Sequence, residues 1–80
     1  MANRKPTAPP EDLERGRVAL EVLAAVNEAL EAAIDLSRPR HTTARALSVQ
    51  ATLSVALRHP ARAGWAAGRL RQLAAEWRQS

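Results

Sequence analysis

The chain has 80 residues, a net charge of +4 and no cysteine. This length allows one domain, and the lack of thiols excludes disulfides and thiolate metal sites. So small a domain buries only about 60 % of its unfolded surface. Stable domains of this size commonly need a disulfide, a metal or a partner chain, so we expect this one to associate with itself or with a target.

Apolar residues make up 46 % of the sequence, but many are alanine, and Trp65 and Trp77 are the only aromatic residues. Alanine favours helix strongly and contributes little burial, which predicts an all-α protein with a thin core. No apolar run reaches the roughly 20 residues of a membrane span. Residues 1–10 are interpreted as a flexible arm before a single helical domain at 11–80. The arm lacks the apolar segment of a secretory signal, so we expect a cytoplasmic protein.

The first predicted helix begins at Pro10, because proline and the acidic Glu11 and Asp12 suit a first turn. We expect it to end near Leu36, ahead of Pro39. Along it, large residues recur at alternating spacings of three and four once Gly16 is counted between Leu13 and Leu20, which is the pattern of a coiled-coil seam. This set, the leucine row, is predicted to be a self-association surface: Leu13, Leu20, Leu23, Asn27, Leu30 and Ile34.

Two interpretations of Asn27 stay open. A polar residue in a coiled-coil seam fixes register and oligomer number, whereas a peripheral asparagine simply bonds to solvent or to a neighbouring helix end. The row itself fits a face inside a bundle or a seam between chains. The small size of the chain favours the second, and we predict a homodimer through the first helix.

The middle segment, residues 47–57, has an ambiguous pattern. Its odd positions are apolar, which is the period of a strand, and such a strand would have to pair across a dimer. No second strand candidate exists in the chain, so a helix is favoured, with Thr42 or Thr43 as its cap. A helix would collect these residues on one face: Ala46, Leu47, Val49, Leu53 and Leu57. It would place Arg45, Ser48 and Thr52 opposite.

The third helix is predicted from Pro60 to about Arg78, after a break at His59 before the proline. Its core stripe is Ala66, Leu70, Leu73 and Trp77. A second stripe, the tryptophan stripe, follows at spacings i, i+3, i+7 and i+10: Arg62, Trp65, Arg69 and Gln72. Exposed Trp and Arg are enriched in binding hot spots, which predicts a partner-binding surface. The alternative is that Trp65 folds back over the edge of the bundle.

Gly64 and Gly68 lie one helical turn apart near the start of this third helix. Small residues at that spacing let another backbone come close. The alternative is that two glycines merely loosen the first turns, since glycine is a poor helix former.

Charge is divided along the chain. Residues 11–36 carry seven carboxylates and two arginines, whereas residues 37–80 carry eight arginines and one glutamate. Opposite charges can pair within a bundle or between chains, or leave the basic half for an anionic partner. In that last case Arg58, Arg71 and Arg78 are the candidate anion contacts.

Chemical motifs are missing: the chain has no Gly-rich phosphate loop and no Ser/His/acid spacing. His41 and His59 would lie about 27 Å apart on one helix. We therefore expect no enzyme, no metal and no cofactor. The sequence predicts a three-helix protein-binding module, such as a regulator, an inhibitor or a small subunit of an assembly. The alternative is a small DNA- or RNA-binding protein, favoured by a pI near 11.4 but disfavoured by the acidic first helix and the lack of a base-reading helix.

Overall fold

The computed structural model describes residues 9–79, which form three helices packed together. Helix α1 spans Pro10–Ala33 and helix α2 spans Pro39–Arg58. A short 3-10 turn at Pro60–Arg62 leads into helix α3, Ala63–Gln79. The predicted all-α three-helix bundle is confirmed. None of the described residues forms a strand, so the strand interpretation of residues 47–57 is wrong. Residues 1–8, which make up most of the predicted arm, lie outside the described residues.

Helix α1 begins as predicted but ends early. Pro10 occupies the first turn, and the N–H groups of Asp12 and Leu13 donate to the Pro9 carbonyl at 2.9 and 3.1 Å. The helix ends at Ala33 instead of near Leu36, and the next residue is extended. The cause is local, because the Asp35 carboxylate accepts hydrogen bonds from the N–H and the hydroxyl of Ser37. Such short-range bonds offer the backbone an alternative to the helix.

Helix α2 begins at Pro39, so the predicted caps at Thr42 and Thr43 are wrong. Proline is already suited to the first helical position, and both threonines lie inside the first turns. The Thr42 hydroxyl accepts from the Asp35 N–H at 2.8 Å and donates to the Asp35 carbonyl at 3.1 Å. The Thr43 hydroxyl donates to the Pro39 carbonyl at 3.1 Å. Thr42 therefore ties the α1–α2 loop to α2.

The core is formed mainly by small side chains between α1 and α3. The most deeply buried residues of these two helices are no more than 2 % exposed: Ala25, Ala29, Ala33, Ala66, Ala67, Leu70 and Ala74. The distance between packed helices depends on the side chains at their contact, so alanines permit a close approach. Leu70 is the one large side chain of the described residues that is fully buried. The predicted α3 core stripe is confirmed, with Trp77 packed against the core and partly exposed.

The predicted inner face of α2 is partly wrong. Leu47 and Leu57 are exposed, whereas Thr52, placed on the opposite face, is buried. The buried stripe is Val49, Thr52 and Ala56, at spacings i, i+3 and i+7. Thr52 tolerates burial because its hydroxyl donates to the Ser48 carbonyl at 2.9 Å, which satisfies the polar group locally.

Candidate functional site

Helix α1 has two apolar faces. Val22, Ala25, Ala29 and Ala33 are buried in the bundle. The leucine row points away from it, with Ile34 just past the end of α1, and its five aliphatic members are between 40 % and 68 % exposed. Asn27 is exposed among them. The row is therefore exposed on the bundle instead of packed inside it, and its predicted role in self-association stays a prediction.

An apolar groove continues the leucine row. It runs between α1 and the end of α2 and encloses about 460 Å³. Leu23 belongs both to the row and to the wall of this α1–α2 groove, and Leu53 and Leu57 line it from α2. Sequence periodicity placed Leu57 on the inner face of α2, so the groove was not predicted. The i, i+4 spacing of Leu53 and Leu57 is the signal that could have shown it.

The tryptophan stripe lies on the outside of α3. Trp65 is 57 % exposed and does not join the core, so the interpretation that it folds back over the bundle is wrong. The Arg69 guanidinium donates to the Gln72 side-chain oxygen at 3.1 Å and lies 3.9 Å from the Glu76 carboxylate. Arg62 and Gln72 are exposed beside them. The four predicted residues therefore share one accessible face, with Arg69 held in place.

Neither Gly64 nor Gly68 receives another backbone within the described part of the chain. A Cβ added at either position would meet no atom within 4 Å. Both glycines are exposed. Within the bundle they therefore do not serve a close approach.

The candidate anion contacts are divided between two places. Arg78 and Arg71 both reach the Glu28 carboxylate, at 3.1 and 3.8 Å, across the contact between α1 and α3. Arg58 lies at the end of α2 and is exposed. The acidic first helix and the basic half thus partly compensate one another inside the bundle.

A second pocket, of about 700 Å³, opens beside the α1–α2 loop and is lined by Asp35, Arg38, His41, Arg45 and Trp77 among others. The guanidinium of Arg45 lies 5.6 Å from the centre of the Trp77 ring, within the range of a cation–π contact. The hydrogen bond from the Ser37 hydroxyl lowers the pKa of Asp35, and the positive charges of Arg38 and Arg45 act in the same direction. The pocket therefore holds a carboxylate that balances part of its own positive charge.

The two histidines sit at opposite ends of α2, His41 in its first turn and His59 just past its last residue. The helical rise separates them by about 27 Å, so they cannot act on one substrate group. Among residues 9–79 no group of three His, Cys, Asp or Glu side chains is placed to hold a metal ion. None of the helices described here has both the length and the apolar character to cross a membrane.

No family model, no curated protein and no solved structure matches this chain. The function proposed below is therefore based on the two exposed apolar surfaces of the chain. These are the leucine row with its groove and the tryptophan stripe.

Proposed function

We propose that this protein is a non-enzymatic binding module that works as a homodimer and associates with another protein through a helical surface. The observation that carries the proposal is an inversion of side-chain size. Alanines fill the core, while the aliphatic members of the leucine row and Trp65 lie on the outside. Contiguous exposed apolar patches mark interaction sites in soluble proteins. A regulator, an inhibitor or a small subunit of an assembly would use such surfaces, and a cytoplasmic location is part of the same proposal.

The tryptophan stripe is the proposed partner site. Trp65 offers a large apolar contact, and Arg62 and Arg69 flank it with positive charge. The bonds of Arg69 to Gln72 and Glu76 restrict its side chain, which lowers the entropy lost on binding. Charge complementarity selects the occupant: a protein segment with an apolar anchor next to Asp or Glu.

Self-association and partner binding use different faces. The leucine row lies on α1 away from α3, and the tryptophan stripe lies on α3 away from its buried contact with α1. A dimer formed through α1 would therefore leave both stripes open. Two linked sites raise the avidity for a partner that carries two copies of the recognised segment.

A displayed random peptide library, selected on the wild-type protein, tests the partner site. We expect the selected peptides to combine an aromatic or aliphatic residue with Asp or Glu. Trp65→Ala should weaken their binding by about 2 kcal/mol, or about 30-fold, because truncation of a hot-spot tryptophan has that effect. Leu47→Ala is the matched control, since Leu47 is equally exposed but lies on α2. Peptides that bind wild type and Trp65→Ala equally well would contradict the assignment of the stripe.

Nucleic-acid binding is the alternative that the arginine-rich half supports. The pairing of Arg71 and Arg78 with Glu28 counts against it. Fluorescence anisotropy of a labelled DNA duplex, measured over a salt series, separates the two functions. The alternative predicts that the affinity for DNA falls steeply as salt is added, with a slope of several ions in a plot of log affinity against log salt concentration. It also predicts that Trp65→Ala leaves this affinity unchanged.

A further inference from the structure

We infer that the leucine row is covered by the same row of a second copy, with the two α1 helices antiparallel and overlapping along their whole length. In this register Leu13 faces the partner's Leu30, and Leu20 faces the partner's Leu23. The inference rests on the self-association in the proposed function and adds its orientation and register. It also gives the α1–α2 groove its occupant.

The row is complementary to itself. On α1, once Gly16 is counted between Leu13 and Leu20, the positions from Leu13 to Leu30 alternate by three and four, so the rows of two copies interlock along the helix. A two-fold dimer requires reciprocal contacts, in which residue i meets j and j meets i. The pairs Leu13 with Leu30 and Leu20 with Leu23 fulfil this requirement with leucine on both sides.

Charge beside the row favours the antiparallel orientation. One flank carries Arg17, Ala24 and Glu31 at spacings of seven, and Arg17 also pairs with Glu14 of its own helix at the exposed surface. Antiparallel packing places this flank against its own symmetry copy, so that Arg17 lies near the partner's Glu31, twice per dimer. A parallel pair would instead set the acidic first turns, with Glu11 and Asp12, side by side. It would also align the two helix dipoles, which repel each other in that arrangement.

The length of α1 and a glycine fix the register. Overlapping the two helices end to end places Pro10 opposite the partner's Ala33 and Gly16 opposite the partner's Asn27. In a single copy, a Cβ on Gly16 would meet no atom within 4 Å, so nothing in the bundle calls for a poor helix former at this exposed position. In the dimer, Gly16 leaves space for the side chain of the partner's Asn27, which explains the glycine at this position. A shift by one heptad in one direction would leave Leu13 without a counterpart, and a shift in the other direction would leave Leu30 without one.

The same arrangement covers the α1–α2 groove. Leu23 lies both in the row and in the groove wall, so a helix packed on Leu23 also borders the groove. Leu53 and the exposed Leu57 then gain an apolar neighbour from the second copy. Both chains would bury their grooves, because the two-fold axis repeats the contact.

Disulfide trapping tests orientation and register, and the absence of native cysteine makes it specific. Leu13→Cys and Leu30→Cys are prepared separately, mixed, equilibrated in a glutathione buffer and identified by intact mass. We expect the mixed disulfide to exceed either symmetric one by about tenfold or more. Each cysteine would lie about 26 Å along the helix from its own copy, beyond the reach of a disulfide. Ala75→Cys, on the exposed side of α3, is the control that should remain uncoupled.

The other outcomes overturn the inference in distinguishable ways. Symmetric disulfides at both positions would show a parallel dimer, and preferential coupling of Leu20→Cys with Leu30→Cys would show the shifted register. In both cases the proposed function stands. Light scattering of the reduced proteins separates the remaining results. A dimer mass without any coupling would place the interface elsewhere, and a monomer mass for the wild type would contradict the self-association itself.

A charge reversal provides a second test that does not depend on cysteine variants. Arg17→Glu should raise the dimer dissociation constant about threefold or more, as expected for surface ion pairs lost twice. Adding Glu31→Arg to the same chain should restore the wild-type value. Within one helix these residues lie about 21 Å apart, so rescue must act between copies. Failure of the second change to rescue the first would contradict the antiparallel pairing.

Discussion

The two apolar faces of α1 differ in a way that reverses the usual rule. The face in contact with α3 is made of alanines and Val22 and is almost completely buried, whereas the face with the leucines is open to water. Large aliphatic side chains are ordinarily the residues found inside. Because small side chains let α1 and α3 approach closely, the alanine face serves the single chain. The leucine face offers more apolar area than the chain itself covers, and the proposed dimer is built on this face.

The largest expected loss of stability comes from truncating a side chain in the buried core. Leu70→Ala should cost about 3–5 kcal/mol, because Leu70 is the large side chain enclosed by the alanines and truncation there leaves a cavity. Urea unfolding at one fixed protein concentration measures the change, since coupling to a dimer makes stability depend on concentration. Leu47→Ala, on an exposed side chain, should stay within about 0.5 kcal/mol of wild type. A cost below about 1 kcal/mol for Leu70→Ala would mean that the alanine contact is not the core.

The two tryptophans of α3 allow the same comparison between a side chain packed on the core and an exposed one. Trp77→Ala should cost about 3 kcal/mol, at the low end for a core tryptophan because the side chain is partly exposed. Trp65→Ala should change the free energy of unfolding by no more than about 0.5 kcal/mol. Acrylamide quenching of the two single-tryptophan variants should find Trp65 accessible and Trp77 more protected. Equal protection of both would show that Trp65 is covered in solution.

Adjacent alanines on α3 provide a matched pair for the close helix contact. Ala74 is buried in the core cluster and Ala75 is exposed. Ala74→Leu should destabilise the protein by about 1–3 kcal/mol, because extra methylenes in a tightly packed contact force the helices apart. Ala75→Leu should be neutral within about 0.5 kcal/mol. Thermal unfolding followed by circular dichroism distinguishes them, and equal melting temperatures would contradict the close approach of α1 and α3.

The smallest effect concerns the loop that sets α2 beside α1. Thr42→Val removes both hydrogen bonds between the hydroxyl and the Asp35 backbone. We expect a cost of about 1–2 kcal/mol, the usual worth of one or two such bonds. Thr43→Val, which removes an exposed bond to the Pro39 carbonyl, should cost less than about 0.5 kcal/mol. If the two variants unfold at the same urea concentration, Thr42 does not hold the loop.

The sequence predicted the helices and the surfaces better than the packing between them. Proline and acidic residues marked the start of α1, and the spacing of α3 identified both its core stripe and the face of Trp65. Periodicity shows that a face is apolar, but it does not say which of two apolar faces turns inward. That choice in α1 depends on how closely two alanine-rich helices approach, which is a property of the pair. For the same reason Thr52 was assigned to the outside of α2 although it is buried.

Local hydrogen bonds were the other source of error. They did not affect residues 47–57, where the sequence favoured a helix over a strand because the chain offers no partner strand, and the structure confirms the helix. The early end of α1 depends on the bonds from Ser37 to the Asp35 side chain, and the start of α2 on Pro39. Threonine and aspartate favour caps and turns alike, so their presence alone did not fix the boundary.

The most direct test of the central claim, that a second copy covers the leucine face of α1, is the mass of the protein in solution. Light scattering at micromolar concentration should give twice the 8.7 kDa of one chain. Leu23→Glu combined with Leu30→Glu should reduce the mass to one chain and lower the helix content, because the thinly cored monomer loses its support. Leu47→Glu, equally exposed but off the row, should leave the dimer intact. A wild-type protein that is monomeric and fully helical at this concentration would contradict the claim.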